Sequence, residues 1–510
     1  MGTLKELRDA RLHKLHELQK LGIDPYTQIN SRTHTNHQLA EGFKKLEDHD
    51  VTMVGRIKSI RTMGGMAFID VVDESGKLQA YTSKQQLQGD HEHNGLAFAE
   101  LRLLDPGDFI EAHGKLTKTK VGEISVFATT IRVLTKSLRP LPDEHEGFVN
   151  AETRYRQRYV DMIVNPEVKR IQEVRAAVTQ EIRTYLDEQG FTEVETPVLQ
   201  PVYGGASARP FTTEHRKLAS TFFLRISDEL YLKRAIVAGF ERVFEIGKDF
   251  RNEGIDRSHN PEFTMAELYW AYATYEDLME LTEKLFARII KKVHGQMTVV
   301  FQGEKLDFTP PYRRVTFRDL VLEHTKVDID NVTREGLIAE IKQRKIEVDL
   351  KSPLPALLDE FYKETTRPNI TQPLFLLDYP AEMSPLAKKK PDEPSKVASM
   401  QLVAAGMELI KAYNELNDPI DQLERLQAEE KVLKAGHSSE AQPIDYDFIR
   451  ALEVGMPPTA GWGLGIDRLV LFLMNQPTLK ETIMFPTLRP ETFDPKEFEV
   501  DEDGGKDAPA

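Results

Sequence analysis

FEIGKDFRNEGIDRSHNPEFTMAELYWAYATY, residues 244–275, is the stretch that decides the fold, because it predicts two adjacent strands and the loop between them. Apolar and polar residues alternate from Arg242 to Phe250, as they do in a half-buried strand. Gly254 permits a turn and Pro261 restricts the loop, after which the alternation resumes at Phe263. We therefore expect two strands joined by an irregular loop.

Charged side chains stand where these strands meet the loop. Arg251 and Glu253 follow the first strand, and Glu267 lies on the second. Such a site can hold an anion and a cation together, as binding an amino acid beside a nucleotide requires. An Arg-Asn-Glu triplet alone is more often a surface ion pair of small energetic value. The functional interpretation therefore depends on further motifs.

Two motifs elsewhere support that interpretation. FRNEG, followed by HNPEF and ELY, resembles motif 2 of the class II aminoacyl-tRNA synthetases, and GWGLGIDRLV, residues 461–470, resembles motif 3. An apolar stripe along a long helix before Gly190, followed by FTEVETPVL, resembles motif 1. In the family, motif 1 forms the dimer interface, so the resemblance implies a homodimer. The same helix pattern is also compatible with an ordinary core helix.

Length and composition limit the possibilities. A chain of 510 residues is too long for one core and is expected to divide into domains. The net charge of −15 argues against nucleic-acid binding over the whole surface, so RNA contacts are expected at local basic patches. The chain has no cysteine, which excludes disulfides and thiolate zinc sites. Without a signal-peptide pattern or a membrane-length apolar run, we expect a soluble cytoplasmic protein with no membrane contact.

Residues Val51 to Leu134 contain five strand-like segments separated by glycine-bearing turns. This spacing predicts a small Greek-key barrel of the oligonucleotide-binding (OB) type, which stacks unpaired bases on aromatic side chains. A barrel phenylalanine is more often part of the core than a stacking platform. The position of the barrel before motif 1 favours anticodon binding. The predicted anticodon contacts are Phe68 as the stacking ring, Gln79 and Glu123 as readers of base edges, and Arg61 near the backbone.

The predicted fold class is α+β, with an N-terminal OB-fold barrel followed by a class II antiparallel sheet flanked by helices. The predicted domains are a helical extension over 1–50, the OB domain over 51–137, a linker over 138–165, the catalytic domain over 166–493 with a partial insertion at 301–370, and an acidic disordered tail over 494–510.

From about residue 3 to 491 the chain resembles the bacterial-type class II lysyl-tRNA synthetases. The segments that carry this resemblance are RYRQRYVDMIVNPE, GGASARPF, ELYLKR, FRNEGIDRSHNPEFT, DYPAEMSPLAK, ELNDP and TAGWGLGIDR. Aspartyl and asparaginyl relatives share the barrel and motifs 1 to 3, so the choice of lysine depends on the other segments, which supply acidic groups for a cationic side chain. The resemblance implies that lysine is bound by Gly205, Glu229, Arg251, Glu267, Tyr269, Tyr413 and Glu415.

The same resemblance implies roles for the ATP site. Arg251 and Arg468 are the expected catalytic residues, because guanidinium groups bind oxyanions well. The expected Mg²⁺ ligands are Glu408 and Glu415, since hard cations bind oxygen. The expected ATP contacts are Arg251, Glu253, His259, Phe263, Glu408 and Arg468. The implied reaction converts lysine and ATP to lysyl-adenylate and then transfers the lysyl group to the 3′ end of tRNA(Lys).

Two positions depart from the family pattern. Gln401 stands where a glutamate is usual, which removes one expected carboxylate from the metal side. Lys411 stands where an asparagine is usual, and a cation there would compete for Glu229 and Glu415. We expect Lys411 to turn toward phosphate or solvent.

Two alternatives remain open at this stage. One is a ligase that adds lysine or β-lysine to a protein, although family members of that kind lack the N-terminal barrel. The other is a catalytically inactive RNA-binding paralogue, which Gln401 and Lys411 would allow.

Overall fold

A computed structural model describes residues 3–28, 30–142, 150–434, 442–495 and 498. The chain forms two compact units, residues 1–149 together with 489–510, and residues 150–488. Most of the predicted tail, and residues 143–149 of the predicted linker, lie outside the described residues. Among the described helices, none combines the length and apolar character needed to cross a membrane.

The described residues of the first unit form three α-helices and seven strands. In chain order they are α1 (Leu4–Lys20), α2 (Asn36–Glu41), α3 (Phe43–Leu46), β1 (Asp50–Met63), β2 (Met66–Asp73), β3 (Gly76–Ser83), β4 (Gln88–Asp90), β5 (Gly95–Ala97), β6 (Phe109–Lys118) and β7 (Ile124–Thr135). Two 3-10 turns, His91–His93 and Phe98–Leu103, lie beside β5.

The predicted barrel is confirmed. Its strands run in the order β3-β2-β1-β6-β7, and parallel pairing of β3 with β7 closes the ring. Alternate residues of these strands, such as Ile69, Ala80 and Val126, are fully buried inside it, which is the pattern that the sequence predicted. The short hairpin of β4 and β5 was not predicted, because three-residue strands carry too little alternation to detect.

The second unit contains the remaining elements. They are α4 (Ala151–Arg156), α5 (Arg158–Val164), α6 (Pro166–Glu188), β8 (Thr192–Glu193), β9 (Leu199–Gln200), β10 (Thr212–His215), β11 (Ser220–Leu224), α7 (Glu229–Val237), β12 (Arg242–Phe250), β13 (Glu262–Ala271), α8 (Tyr275–His294), β14 (Thr298–Phe301), β15 (Glu304–Asp307), β16 (Arg313–Thr316), α9 (Phe317–Thr325), α10 (Arg334–Gln343), α11 (Leu354–Thr365), β17 (Leu374–Leu377), β18 (Ser399–Ala404), β19 (Met407–Asn414), α12 (Pro419–Lys434), α13 (Tyr446–Val454), β20 (Thr459–Gly465), α14 (Ile466–Leu473) and α15 (Leu479–Thr482). Short 3-10 turns occur at Arg367–Asn369 and Ala381–Met383.

An eight-stranded sheet in the order β16-β17-β18-β19-β20-β13-β12-β8 organises this unit. Its pairs are antiparallel except at the two edges, where β16–β17 and β12–β8 are parallel. Helices α6, α8 and α14 contribute to one continuous apolar cluster with the sheet, in which Phe286, Trp462 and Leu469 are buried. The predicted α+β class is therefore confirmed, and β12 and β13 are the two strands that the opening stretch predicted.

The sequence predicts a strand over FTEVETPVL, an amphipathic helix over 276–300 and one strand that starts at Met400, and each of these segments differs in detail. FTEVETPVL forms only the short β8 and β9, because the backbone between them bonds to side chains and loops: the amide of Thr196 donates to Glu245 Oε2 at 3.0 Å. The helix predicted over 276–300 ends at His294, where Gly295 adopts a left-handed φ of 71°. The segment 400–417 holds two strands, because a turn at Ala405 and Gly406 reverses the chain.

Candidate active site

A cavity of about 370 Å³ opens beside the centre of the sheet. It is lined by every residue that the sequence predicted for lysine or ATP binding: Gly205, Glu229, Arg251, Glu253, His259, Phe263, Glu267, Tyr269, Glu408, Tyr413, Glu415 and Arg468. These residues come from segments that are far apart in the chain. The structure thus brings the predicted set to one place.

The strand register explains how the cavity forms. On β13, Met265, Glu267 and Tyr269 share one face because strand side chains alternate. They pair with glycines of the neighbouring β20: Met265 with Gly465, Glu267 with Gly463 and Tyr269 with Gly461. Because these glycines carry no side chains, the middle of the sheet stays open. The sequence GWGLG therefore supplies the floor of the cavity.

Charges are separated along this floor. Arg251 follows β12, and Arg468 follows β20 close to the Met265–Gly465 pair. Glu415 lies toward the other end, where its amide donates to the carbonyl of Thr459 at 2.8 Å. Among the described residues, neither guanidinium has an ion-pair partner, so both are available to an anion. The cavity can therefore accept a ligand that is anionic at one end and cationic at the other.

The acidic end contains a cation that sequence reasoning missed. Lys233 Nζ donates to Glu229 Oε1 at 2.6 Å and also forms an ion pair with Glu415 Oε2. The hydroxyl of Tyr413 donates to Glu229 Oε2 at 2.8 Å. Lys233 could have been found as the residue four positions after Glu229 on a predicted helix, because that spacing places both side chains on one face.

Burial controls the charges of this triad. Burial raises the pKa of Glu415 to about 8, although Lys233 opposes the shift. Burial alone would lower the pKa of Lys233, but Glu229 and Glu415 together raise it above its ordinary value. Neither oxygen of Glu415 accepts a hydrogen bond of good geometry from the described residues, and only Oε2 has an ion-pair partner. Glu415 Oε1 is thus a buried acceptor without a donor.

A second group of carboxyls lies beside Glu267. Carboxylate oxygens of Asp228, Asp249 and Glu267 lie within 4.8 Å of one another, and all three residues are buried. Burial raises the pKa of Asp228 to about 7 and raises the pKa of Asp249 and Glu267 as well. Arg225 Nε lies 3.2 Å from Asp249 Oδ1. This group can share protons or hold one small cation. The sequence did not single out Asp228 or Asp249, because neither belongs to a quoted motif core.

The basic end has groups suited to a nucleotide. The guanidinium of Arg251 lies 4.9 Å from the centroid of the Phe263 ring, and its Nε donates to the carbonyl of Ile226 at 3.3 Å. His259 Nδ1 lies 2.9 Å from Asp256 Oδ2. Although burial acts in the opposite direction, hydrogen bonds from His259 and Ser258 lower the pKa of Asp256 to about 2.

The two departures from the family pattern occupy facing positions, since Gln401 pairs with Lys411 across β18 and β19. Gln401 is buried, and its Oε1 accepts the hydroxyl proton of Tyr379 at 2.5 Å; it does not line the cavity. Lys411 is exposed and lines the cavity, and its ammonium has no ion-pair partner among the described residues. Glu408 also lines the cavity; of the two predicted metal ligands it is the one without an ion-pair partner among the described residues, because Glu415 contacts Lys233.

The barrel carries its own cluster of polar and aromatic residues. Phe68, Tyr81 and Phe127 form a ladder of stacked rings across β2, β3 and β7, with centroids 6.0 and 4.8 Å apart. All three rings are half-buried. Tyr81 and Phe127 were missed, although their register beside Phe68 follows from strand alternation.

The other predicted anticodon residues lie near this ladder. Arg61 is exposed and pairs with Phe68 across β1 and β2. Gln79 is buried, and its Oε1 accepts from the hydroxyl of Ser125 at 3.2 Å. Glu123 is exposed just before β7 begins.

Comparisons with known proteins agree with this geometry. Residues 150–489 match the family model described as tRNA synthetases class II (D, K and N). Residues 51–134 match the OB-fold nucleic acid binding domain.

Three relatives are each named Lysine–tRNA ligase. The protein of Roseiflexus castenholzii is 48% identical, covering 96% of this chain and 99% of its own. The protein of Clostridium acetobutylicum is 44% identical, covering 96% and 95%. The protein of Moorella thermoacetica is 43% identical, covering 95% and 98%.

Proposed function

The chain belongs to the lysine–tRNA ligase family of the class II aminoacyl-tRNA synthetases, and from this membership we propose how its cavity activates L-lysine with ATP and charges tRNA(Lys). The observation that carries the assignment of lysine is the unpartnered Glu415 Oε1, buried at the acidic end of the cavity. A buried carboxylate oxygen without a hydrogen-bond donor is costly, and an ammonium group of the substrate would supply that donor.

Lysine would lie along the floor with its side chain toward Glu415. Tyr269 and Tyr413 would pack against the aliphatic stem, and Glu267 would bind the α-ammonium group. Gly205 contributes backbone near that group: its φ is 90°, and a methyl group there would stand 2.9 Å from Ser227 Oγ. Glu229 already accepts from Tyr413 and Lys233, and its negative charge would further attract the ammonium group of the lysine side chain.

The chemistry requires no nucleophile from the protein. An oxygen of the lysine carboxylate attacks the α-phosphorus of ATP, forming a new P–O bond while the bond to pyrophosphate breaks. A ribose hydroxyl at the tRNA 3′ end then attacks the acyl carbon and releases AMP. Arg251 would bind the lysine carboxylate beside the α-phosphate and neutralise charge that develops between them. Catalysis would thus come from positioning and electrostatic stabilisation.

For ATP, we propose that the adenine stacks between Phe263 and Arg468, with Glu253 accepting from its amino group and His259 near the phosphates. Mg²⁺, when bound, would neutralise the phosphate oxygens. Glu408 is the proposed principal ligand, and Glu415 the secondary one; the contact of Glu415 with Lys233 favours an ammonium role for that residue. With Gln401 engaged by Tyr379, no third carboxylate is proposed there.

For tRNA, we propose that the OB-fold unit binds the anticodon through the Phe68–Tyr81–Phe127 ladder, with Arg61, Gln79 and Glu123 at its margin.

We also propose a homodimer formed through motif 1, in the cytoplasm. In support, Val198 and Leu199, which follow α6 and β8, are apolar yet exposed in the single chain.

An amino-acid panel in the ATP–pyrophosphate exchange assay tests the function and the substrate together. We expect exchange with L-lysine at least about a hundredfold above that with aspartate or asparagine, because the acidic end would repel an anionic side chain. Exchange that is equally fast with aspartate would contradict the proposed pocket. No observation favours the alternatives of a protein-modifying ligase or an inactive paralogue.

A further inference from the structure

Lys233 is a fully enclosed cation that contacts Glu229 and Glu415, two residues that line the proposed lysine pocket. Its side chain has no exposed surface, and it lies on α7 one turn after Glu229. The rings of Tyr413 and Phe448 flank its ammonium, each with a centroid 5.9 Å away. Burying an ammonium group is costly unless fixed acceptors surround it. Lys233 therefore has a defined position that the folded chain enforces.

The carboxylate oxygens around Lys233 differ in what they contact. Glu229 Oε1 accepts from Lys233 at 2.6 Å, and Glu229 Oε2 accepts from the Tyr413 hydroxyl at 2.8 Å. Glu415 Oε2 forms the ion pair with Lys233. Glu415 Oε1 has no partner among the described residues, and it faces Gly461. Of the four carboxylate oxygens of Glu229 and Glu415, only Glu415 Oε1 lacks a partner in the described part of the chain and is therefore free to accept from the ammonium group of a bound substrate.

The charge count leads to the same result. When a guest ammonium is bound, its positive charge favours the ionised form of Glu415, and two carboxylates and one internal ammonium then leave a single negative charge for the guest. Without Lys233, the two carboxylates would repel each other and would offer places for two cations. The internal ammonium thus occupies one of two possible cation places.

We propose that Lys233 is a positioning residue that fills one of two cation places between Glu229 and Glu415, so that the ammonium of substrate lysine binds against Glu415 alone. This inference rests on the proposed function, because it concerns how the same pocket recognises lysine. Lys233 does not touch the reacting atoms. Its loss is expected to weaken lysine binding much more than the rate of adenylate formation.

The test compares Lys233→Ala with the wild type in lysine-dependent ATP–pyrophosphate exchange. We expect the KM for lysine to rise at least about tenfold in Lys233→Ala, with kcat changed less. Propylammonium matches the atoms that this substitution removes, so it should restore the KM of the variant at low concentration. The same ion should only inhibit the wild type, where the internal place is filled. Propanol, a neutral molecule of similar shape, should restore nothing.

One further variant separates the charge of Lys233 from its packing, and another serves as a control. Lys233→Met keeps most of the volume without the charge, so its KM should rise similarly and propylammonium should not restore it. Lys248→Ala removes an exposed lysine of β12 that pairs with Glu262 at 3.2 Å, and it should behave as the wild type.

The outcomes distinguish the inference from the function on which it rests. A wild-type KM in Lys233→Met, or equal rescue of Lys233→Ala by propanol, would overturn the role of the Lys233 charge. A wild type without lysine-dependent exchange would instead overturn the proposed function.

Discussion

Gly461 lies so close to Glu415 that a methyl group on its Cα would stand 2.0 Å from Glu415 Oε1. The carboxylate can reach the floor of the pocket only because residue 461 has no side chain. The ring of Tyr269 approaches the same point, at 2.6 Å. The strands β13 and β20 and the segment after β19 thus meet around one missing side chain.

Gly461→Ala should therefore displace Glu415 or Tyr269 and raise the KM for lysine at least about tenfold, since overpacking a fixed site forces neighbours to move. Lysine-dependent pyrophosphate exchange measures this. Gly65→Ala in the turn between β1 and β2 is the comparison, because its methyl group would have no atom of the described residues within 4 Å and would lie outside the cavity. An equal effect of both substitutions would argue against a specific role for position 461.

Arg251→Lys should lower kcat for lysyl-adenylate formation about a hundredfold, because an ammonium cannot bind two oxyanions as the planar guanidinium does. Single-turnover kinetics of lysyl-adenylate formation measure the effect. Arg242→Lys is a control at the far end of the same strand, where the guanidinium lies 4.5 Å from the Trp270 centroid. If Arg251→Lys raises only KM, then Arg251 stabilises the bound substrate and the transition state equally, and it does not act selectively on the transition state.

Asp228→Asn should make the stability of the chain less dependent on pH. Burial raises the pKa of Asp228 to about 7, so the folded state holds a proton that the unfolded state releases near pH 4. The wild type therefore loses stability as the pH rises from about 4 to 7, by an amount on the order of a few kcal/mol. The urea midpoint of Asp228→Asn minus that of the wild type should therefore increase from pH 5 to pH 8. A constant difference across that range would show that Asp228 is already ionised.

Lys411→Asn should leave the KM for lysine within about threefold of the wild type, because an exposed ammonium contributes little to a buried pocket. The KM for ATP should rise, since Lys411 lines the same cavity without a partner among the described residues. Both constants come from exchange assays with one substrate varied. A large drop in the KM for lysine would show that Lys411 competes for Glu229 and Glu415.

Phe68→Ala should raise the KM for tRNA(Lys) about tenfold, because one base would lose its stacking ring. Lysine-dependent exchange without tRNA should stay unchanged, since the barrel is a separate unit. Phe109→Ala is the matched control, as its ring lies under Arg56 and outside the ladder. Normal charging by Phe68→Ala would remove the proposed platform.

Much of the site followed from local patterns. Alternation located β12 and β13, whereas the space that the glycines of β20 leave beside β13 became apparent only in the structure. The family resemblance then supplied the residues that line the cavity, and the structure brings them together. The short hairpin β4–β5 was missed because its strands are too brief for periodicity to appear.

The sequence alone determined the barrel, the α+β class and the family, because each depends on periodicity or on residues within short segments. Only the tertiary structure decided that Lys233 lies between Glu229 and Glu415, and that Asp228 and Asp249 lie beside Glu267. Apart from the Glu229–Lys233 pair within α7, these contacts join side chains from separate elements. Whether a carboxylate finds a partner depends on packing and burial, which no local pattern encodes.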